Sequence, residues 1–136
     1  MDSERSLKDS QRLLKDRERY PVILVVDDNP VQALTRKAIL NRAGLDVQTV
    51  YSAEDAFAAL DRDSGGDITL VITDHIMPGE SGNVFVTRLW ERRAELSVMV
   101  LSGMAEAEAE YAGLNITFRS KPILPADLVS LATQLS

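Results

Sequence analysis

The sequence predicts an α/β fold, a doubly wound five-stranded parallel sheet with helices on both faces. Three observations carry this. Short apolar runs such as Val22-Ile23-Leu24-Val25-Val26, Ile68 to Thr73 and Val98 to Leu101 are unbroken rather than alternating, as strands buried on both faces are. Each run ends in polar or turn-forming residues and is followed by a helix-period stretch, so strands and helices alternate along the chain. The chain has 136 residues, 45% hydrophobic and 26% charged, which suits one domain with a sizeable core.

Composition removes several classes of function. There is no cysteine, hence no disulfide framework and no thiolate metal site. A single histidine excludes a multi-histidine metal centre, so any metal would be held by oxygen ligands, which favours a hard cation such as magnesium. The formal net charge of −6 argues against a broad nucleic-acid surface. No apolar run approaches the roughly 20 residues needed to cross a bilayer, and no signal peptide opens the chain. A cytoplasmic location is expected.

Residues 1–20 read as a charged helical extension or linker and residues 21–136 as the folded domain. The first 19 residues carry six basic and five acidic side chains; the segment suits either a loose solvated tail or the end of a signalling helix. Tyr20-Pro21 stops its pattern. The first strand, Val22 to Val26, ends in Asp27-Asp28-Asn29-Pro30, where Asn29 or Asp28 caps a helix and Pro30 fits its first turn. Val31, Leu34, Ala38, Ile39 and Leu40 follow helical spacing, and Gly44 ends the helix. Val47 to Val50 is the second strand. Ser52 caps the next helix with Asp55 at the capping-box position, and Ala56, Phe57 and Leu60 lie along it. The third strand, Ile68 to Thr73, leads into Asp74, and Met77-Pro78-Gly79 forces a turn. After Gly82 a helix points Val84, Phe85, Leu89 and Trp90 inward, with Arg88, Arg92 and Arg93 on or near its outer side. Val98 to Leu101 is the fourth strand. Ala105 to Tyr111, rich in Ala and Glu, reads as a helix, closed by Gly113. Asn115 to Phe118 is the fifth strand, and Pro125 to Leu135 the last helix, with Leu128, Leu131 and Leu135 in register.

Five such units with right-handed crossovers suit a flavodoxin-like strand order of 2-1-3-4-5. The residues just past each strand then emerge on one edge: Asp27 and Asp28, Asp74, Ser102 and Lys121. Open α/β sheets place ligand chemistry at that edge. Carboxylates gathered there repel one another, and a divalent cation offsets the repulsion. An aspartate beside such a cation is suited to attack phosphorus, a lysine to bind a phosphoryl oxygen and a serine hydroxyl to bind another.

These motifs identify a resemblance. Val25-Val26-Asp27-Asp28-Asn29, Thr73-Asp74 with Met77-Pro78-Gly79 and Gly82, Leu101-Ser102-Gly103 and Lys121-Pro122, in this order and spacing, resemble the receiver domain of bacterial two-component response regulators over about Val22 to Leu135. The resemblance implies a phosphorylation-controlled switch whose phosphoacceptor Asp74 takes its phosphoryl group, with Mg2+, from a histidine kinase, a phosphotransfer protein or a small donor such as acetyl phosphate. It implies Mg2+ binding by Asp28, Asp74 and the backbone carbonyl of Ile76, with Asp27 acting mainly through water. It implies catalytic roles for Ser102 and Lys121, a cis bond before Pro122, and a switch made of Ser102 and Phe118. The surface altered on phosphorylation would lie on Ala105 to Tyr111, the fifth strand and the last helix. Turnover of an external substrate is not expected.

Plainer readings stand beside these. Asp28 or Asn29 caps a helix in either case, Phe118 also suits a core position, and His75 reads as an exposed loop residue beside the site. Two rivals remain for function: a magnesium-dependent phosphatase of the haloacid dehalogenase type, whose Asp-x-Asp motif the first strand lacks, and a receiver-like interaction module that is never phosphorylated. Ile76 and Met104, each two residues past a site residue, are apolar where the family often orients the attacking water, so slow self-dephosphorylation is expected. A downstream protein partner is expected, with no direct nucleic-acid or membrane contact, and a homodimer is left open.

Overall fold

The computed structural model describes residues 21–75, 79 and 81–136. The expected extension over residues 1–20 and the stretch containing Ile76, Met77 and Pro78 lie outside the described residues. Strands β1 (Val22–Val26), β2 (Asp46–Val50), β3 (Ile68–Asp74), β4 (Ser97–Ser102) and β5 (Thr117–Ser120) alternate with helices α1 (Pro30–Arg42), α2 (Ala53–Arg62), α3 (Gly82–Arg92), a 3-10 helix (Ala105–Tyr111) and α4 (Pro125–Leu135). The sheet is wholly parallel in the order β2-β1-β3-β4-β5. This is the predicted topology.

The unbroken apolar strands make sense once their two faces are separated. Along β1, Leu24 and Val26 join a core with α2, α3 and the 3-10 helix, while Ile23 and Val25 join a second core with α1 and α4. The same alternation splits β3, with Val71 on the first face and Leu70 and Ile72 on the second. Each fully buried aliphatic or aromatic side chain contributes about 1.5–3 kcal/mol, and both faces need filling before the sheet closes. The edge strands differ: Asp46 and Gln48 on β2, and Arg119 and Ser120 on β5, are exposed.

The helices start largely as read. The Asn29 side chain accepts the amides of Val31 and Gln32, and the Ser52 hydroxyl accepts that of Asp55. The inward face of α1 is not the predicted one. Leu40 is buried as its spacing suggested, but Val31 and Leu34 are 73% and 51% exposed, and Ala33 and Arg36 are buried in their place. An arginine occupies a core-facing position because a buried carboxylate partners it, described below. On α3, Phe85 and Leu89 are buried as predicted, whereas Val84 is 46% exposed and Val86 is buried in its stead. Trp90 is half-buried, and its Nε1 donates to the Leu96 carbonyl at 2.8 Å.

Arg93 is not an outer-face residue. Its guanidinium donates to Asp63 Oδ2 at 2.6 Å and to the carbonyls of Ile68, Leu60 and Asp63 at 3.1, 3.0 and 3.0 Å. It thereby caps the end of α2 and ties it to the start of β3. Asp63 also accepts the amides of Asp67 and Ile68. Burial pushes its carboxyl pKa up, but the Ile68 amide, the Arg93 guanidinium and the Asp67 amide outweigh that and hold it below the usual carboxylate value.

Two other elements differ from the sequence reading. Ala105–Tyr111 is a 3-10 helix, burying only Ala107 and Tyr111. The fifth strand is Thr117–Ser120 rather than Asn115 to Phe118. Its register sets Phe118 opposite Val100 and Ser120 opposite Ser102, so the pairing runs to the end of β4 instead of stopping at the last apolar residue.

Candidate functional site

Three adjacent strands, β1, β3 and β4, end at one edge and bring their terminal side chains together, with the residue after β5 beside them. Oxygen atoms of Asp27, Asp28 and Asp74 all lie within 4.8 Å of one another. Asp27 is fully buried and Asp28 exposed. The cluster survives because cations enter it. Lys121 Nζ lies 2.7 Å from Asp74 Oδ1 and donates to Gln32 Oε1 at 3.1 Å. The Lys121 amide donates to the Ser102 carbonyl at 2.7 Å, which fixes the lysine's root against β4. The Lys121–Pro122 peptide is cis.

Asp27 has its own cation. Arg36 Nη1 meets Asp27 Oδ2 at 2.6 Å, while Asp27 Oδ1 accepts the Asn29 amide at 2.9 Å. A buried carboxylate with both oxygens satisfied in this way tolerates its burial. Sequence reading missed Arg36. The available signal was its position in the row Ala33, Arg36, Leu40, one arginine inside an otherwise apolar stripe.

Ser102 is buried at the end of β4. Its Oγ accepts the Met104 amide at 3.0 Å and donates to the Met104 carbonyl at 3.2 Å, so the hydroxyl is engaged with its own loop. Phe118 is buried, its ring 6.1 Å from that of Tyr111. Ile76, whose carbonyl was expected among the cation ligands, lies outside the described residues.

His75 departs from its expected place as an exposed loop residue. Its side chain is only 11% exposed, its Nε2 lies 3.2 Å from Glu110 Oε2 and its Nδ1 lies 2.7 Å from the Tyr111 hydroxyl. A neutral ring satisfies both contacts if Nε2–H donates to the carboxylate and Nδ1 accepts from the phenol. Burial, then Glu110, then Asp74 push the Tyr111 pKa well above its ordinary value, which keeps the phenol a donor. Nothing local in the sequence marks Tyr111 for this, since the two residues stand 36 positions apart.

The donor set is all oxygen and carries three formal negative charges, the chemistry a hard divalent cation requires. A model of the response regulator receiver domain matches residues 23–133. The chain belongs to that receiver family.

As a receiver it is 33% identical over 120 residues to the transcriptional regulatory protein AruR of Pseudomonas aeruginosa, an alignment covering 85% of this chain and 49% of that protein. It is 34% identical over 114 residues to the sensor protein EvgS of Escherichia coli O157:H7, covering 84% of this chain and 9% of EvgS. The receiver therefore spans half or less of the curated relatives it matches. A response regulator receiver protein from Pseudomonas putida superimposes with a TM-score of 0.76 at 31% identity, covering 85% of this chain and 97% of the other. The receiver domain of the hybrid histidine kinase CckA gives 0.70 at 26% identity, covering 84% and 97%. Receivers are two-component signalling domains that take phosphoryl groups from histidine kinases and generally bind Mg2+ in an acidic pocket. Among the described residues no helix is long and apolar enough to cross a membrane.

Proposed function

We propose that this receiver is a phosphorylation-controlled switch with Asp74 as the phosphoacceptor. The observation that carries the reading is the Asp74 carboxylate held 2.7 Å from Lys121 Nζ within the cluster of Asp27, Asp28 and Asp74. An Asp74 oxygen forms the new bond to phosphorus as the bond to the donor breaks, a histidine nitrogen of a kinase or phosphotransfer protein, or the carboxyl oxygen of acetyl phosphate. Asp28 and Asp74 would hold Mg2+ directly, with the Ile76 carbonyl as a third ligand and Asp27 acting through water. The bound cation supplies charge neutralisation for the phosphoryl oxygens. Lys121 is already poised to follow a charge that moves from carboxylate to phosphoryl oxygen. Ser102 would exchange its Met104 contacts for a phosphoryl oxygen, with Phe118 completing the switch.

Incubation with acetyl phosphate and Mg2+, followed by phosphate-affinity electrophoresis, tests this. The wild type is expected to shift and Asp74→Asn to remain unshifted. Absence of an Asp74-dependent shift overturns the reading and favours an interaction module that works unphosphorylated.

A further inference from the structure

Arg36 is an unusual occupant of its position. It comes from the inward face of α1, its side chain is 10% exposed, and it lies against a carboxylate that is 0% exposed. Its Nη2 also donates to Gln32 Oε1 at 3.4 Å, the same oxygen that accepts from Lys121 at 3.1 Å. One amide oxygen thus links two cations, and Lys121 in turn rests on Asp74. The three carboxylates face two cations rather than one. A guanidinium does not lose its charge at any accessible pH, so this compensation is permanent.

We infer that Arg36 is a built-in counter-cation that weakens and thereby sets the affinity of the carboxylate cluster for a divalent cation. The inference rests on the reading of that cluster as a cation site. Two effects act together. Arg36 adds a fixed positive charge next to the place a cation must occupy, and the two repel in a partly desolvated pocket where screening is weak. Arg36 and the Asn29 amide also each take a lone pair of an Asp27 oxygen, which leaves the most buried carboxylate a weaker acceptor for a metal-bound water. Arg36 touches no reacting atom in this account; it is a positioning residue acting through Asp27.

A purely structural ion pair predicts something different. Replacing Arg36 by a neutral side chain would then lower stability and leave cation affinity unchanged, because Asp27 would serve only to hold α1 against β1. The counter-cation role predicts lower stability without metal and tighter binding with it, since a stranded buried carboxylate gains most from a new cation.

Titration calorimetry of the full chain with Mg2+ alone separates the two. Arg36→Met, close in volume to the residue it replaces, is expected to bind Mg2+ about fivefold or more tightly than wild type, and Arg36→Lys, which keeps the charge, to stay near wild type. Arg36→Gln, which retains a donor for Asp27 without the charge, should tighten binding as Arg36→Met does and covers the case in which the methionine variant fails to fold. Its thermal midpoint should rise more on saturation with Mg2+ than that of wild type. Unchanged or weaker Mg2+ binding by folded Arg36→Met or Arg36→Gln overturns the inference while leaving the site intact. If the wild type shows no Mg2+ binding that Asp28→Asn weakens, the reading of the cluster falls, and the inference with it.

Discussion

The Tyr111 hydroxyl and His75 Nδ1 stand 2.7 Å apart, joining the residue after Asp74 to the last residue of the 3-10 helix. The bond crosses from the end of β3 to an element that buries only two of its own side chains, and Glu110 reinforces it from the same helix. It is a direct link between the strand that carries Asp74 and a lightly buried helix.

Tyr111→Phe removes the donor and leaves a largely buried imidazole nitrogen unpaired. A loss of about 1–2 kcal/mol in urea denaturation is expected. The pH dependence has a definite sign. The Tyr111 pKa is raised in the folded state above its ordinary 10.0, so its contribution is fully present below pH 10.0 and is lost as pH rises through the folded value. The stability gap between wild type and Tyr111→Phe should be constant at neutral pH and narrow in strong alkali; a gap that is flat throughout would count against the burial of the phenol beside Glu110 and Asp74.

Gly82 opens α3 directly against Tyr111. A Cβ there would collide with the phenol, approaching its hydroxyl most closely. Alanine normally gains about 1 kcal/mol over glycine in a helix, yet Gly82→Ala should destabilise by about 1–3 kcal/mol through overpacking. In a Tyr111→Ala background the same substitution should become neutral or stabilising. A double-mutant cycle reads this directly, and additive effects would show that the crowding is relieved elsewhere.

Arg93→Ala strands Asp63 and three backbone carbonyls that now share one guanidinium. A cost of about 2–4 kcal/mol is expected, visible as a lowered urea midpoint. Because the folded pKa of Asp63 is depressed below 3.8, its contribution is present above pH 3.8 and is lost as pH falls through the folded value. Wild type should therefore lose more stability than Asp63→Asn on acidification below pH 4, and equal acid sensitivity of the two proteins would contradict the assignment.

Ile76→Asn tests the expectation of a long-lived phosphorylated state. Apolar groups at Ile76 and at the half-exposed Met104 have no means of orienting an attacking water. The substitution should shorten the lifetime of the aspartyl phosphate about tenfold, followed as phosphate release after donor removal. A wild-type lifetime of seconds that the substitution leaves unchanged would sink the idea.

Much of the fold was legible because its signals are local. The runs at β1, β3 and β4 and the caps at Asn29 and Ser52 each depend on neighbouring residues, and the sheet order follows from their alternation. The residues Asp27, Asp28, Asp74 and Lys121 were legible for the same reason, as polar residues at strand ends. What escaped was pairing at a distance. Val31 and Leu34 outweigh Ala33 and Arg36 in apolar bulk, yet the helix turns the other way because Asp27 satisfies the arginine. Arg93 looked like a surface charge because its partners lie 25 to 33 residues back in the chain. His75 looked solvated because Tyr111 is invisible to any local pattern. The end of β5 was misplaced because pairing with β4 continues through Arg119 and Ser120, which carry no apolar signal of their own.

The two edge strands bear on how the molecule meets its own copies. Among the described residues the parallel sheet ends at β2 and β5, and open sheet edges offer rows of unpaired amides and carbonyls, ready templates for another strand. On β2 the rim carries Asp46 and Gln48, and on β5 it carries Arg119 and Ser120, all exposed. β5 is also only four residues long. A foreign strand aligning there would have to desolvate these polar side chains for little apolar return. The sheet that presents Asp74 is thereby guarded against edge-to-edge growth into fibrils.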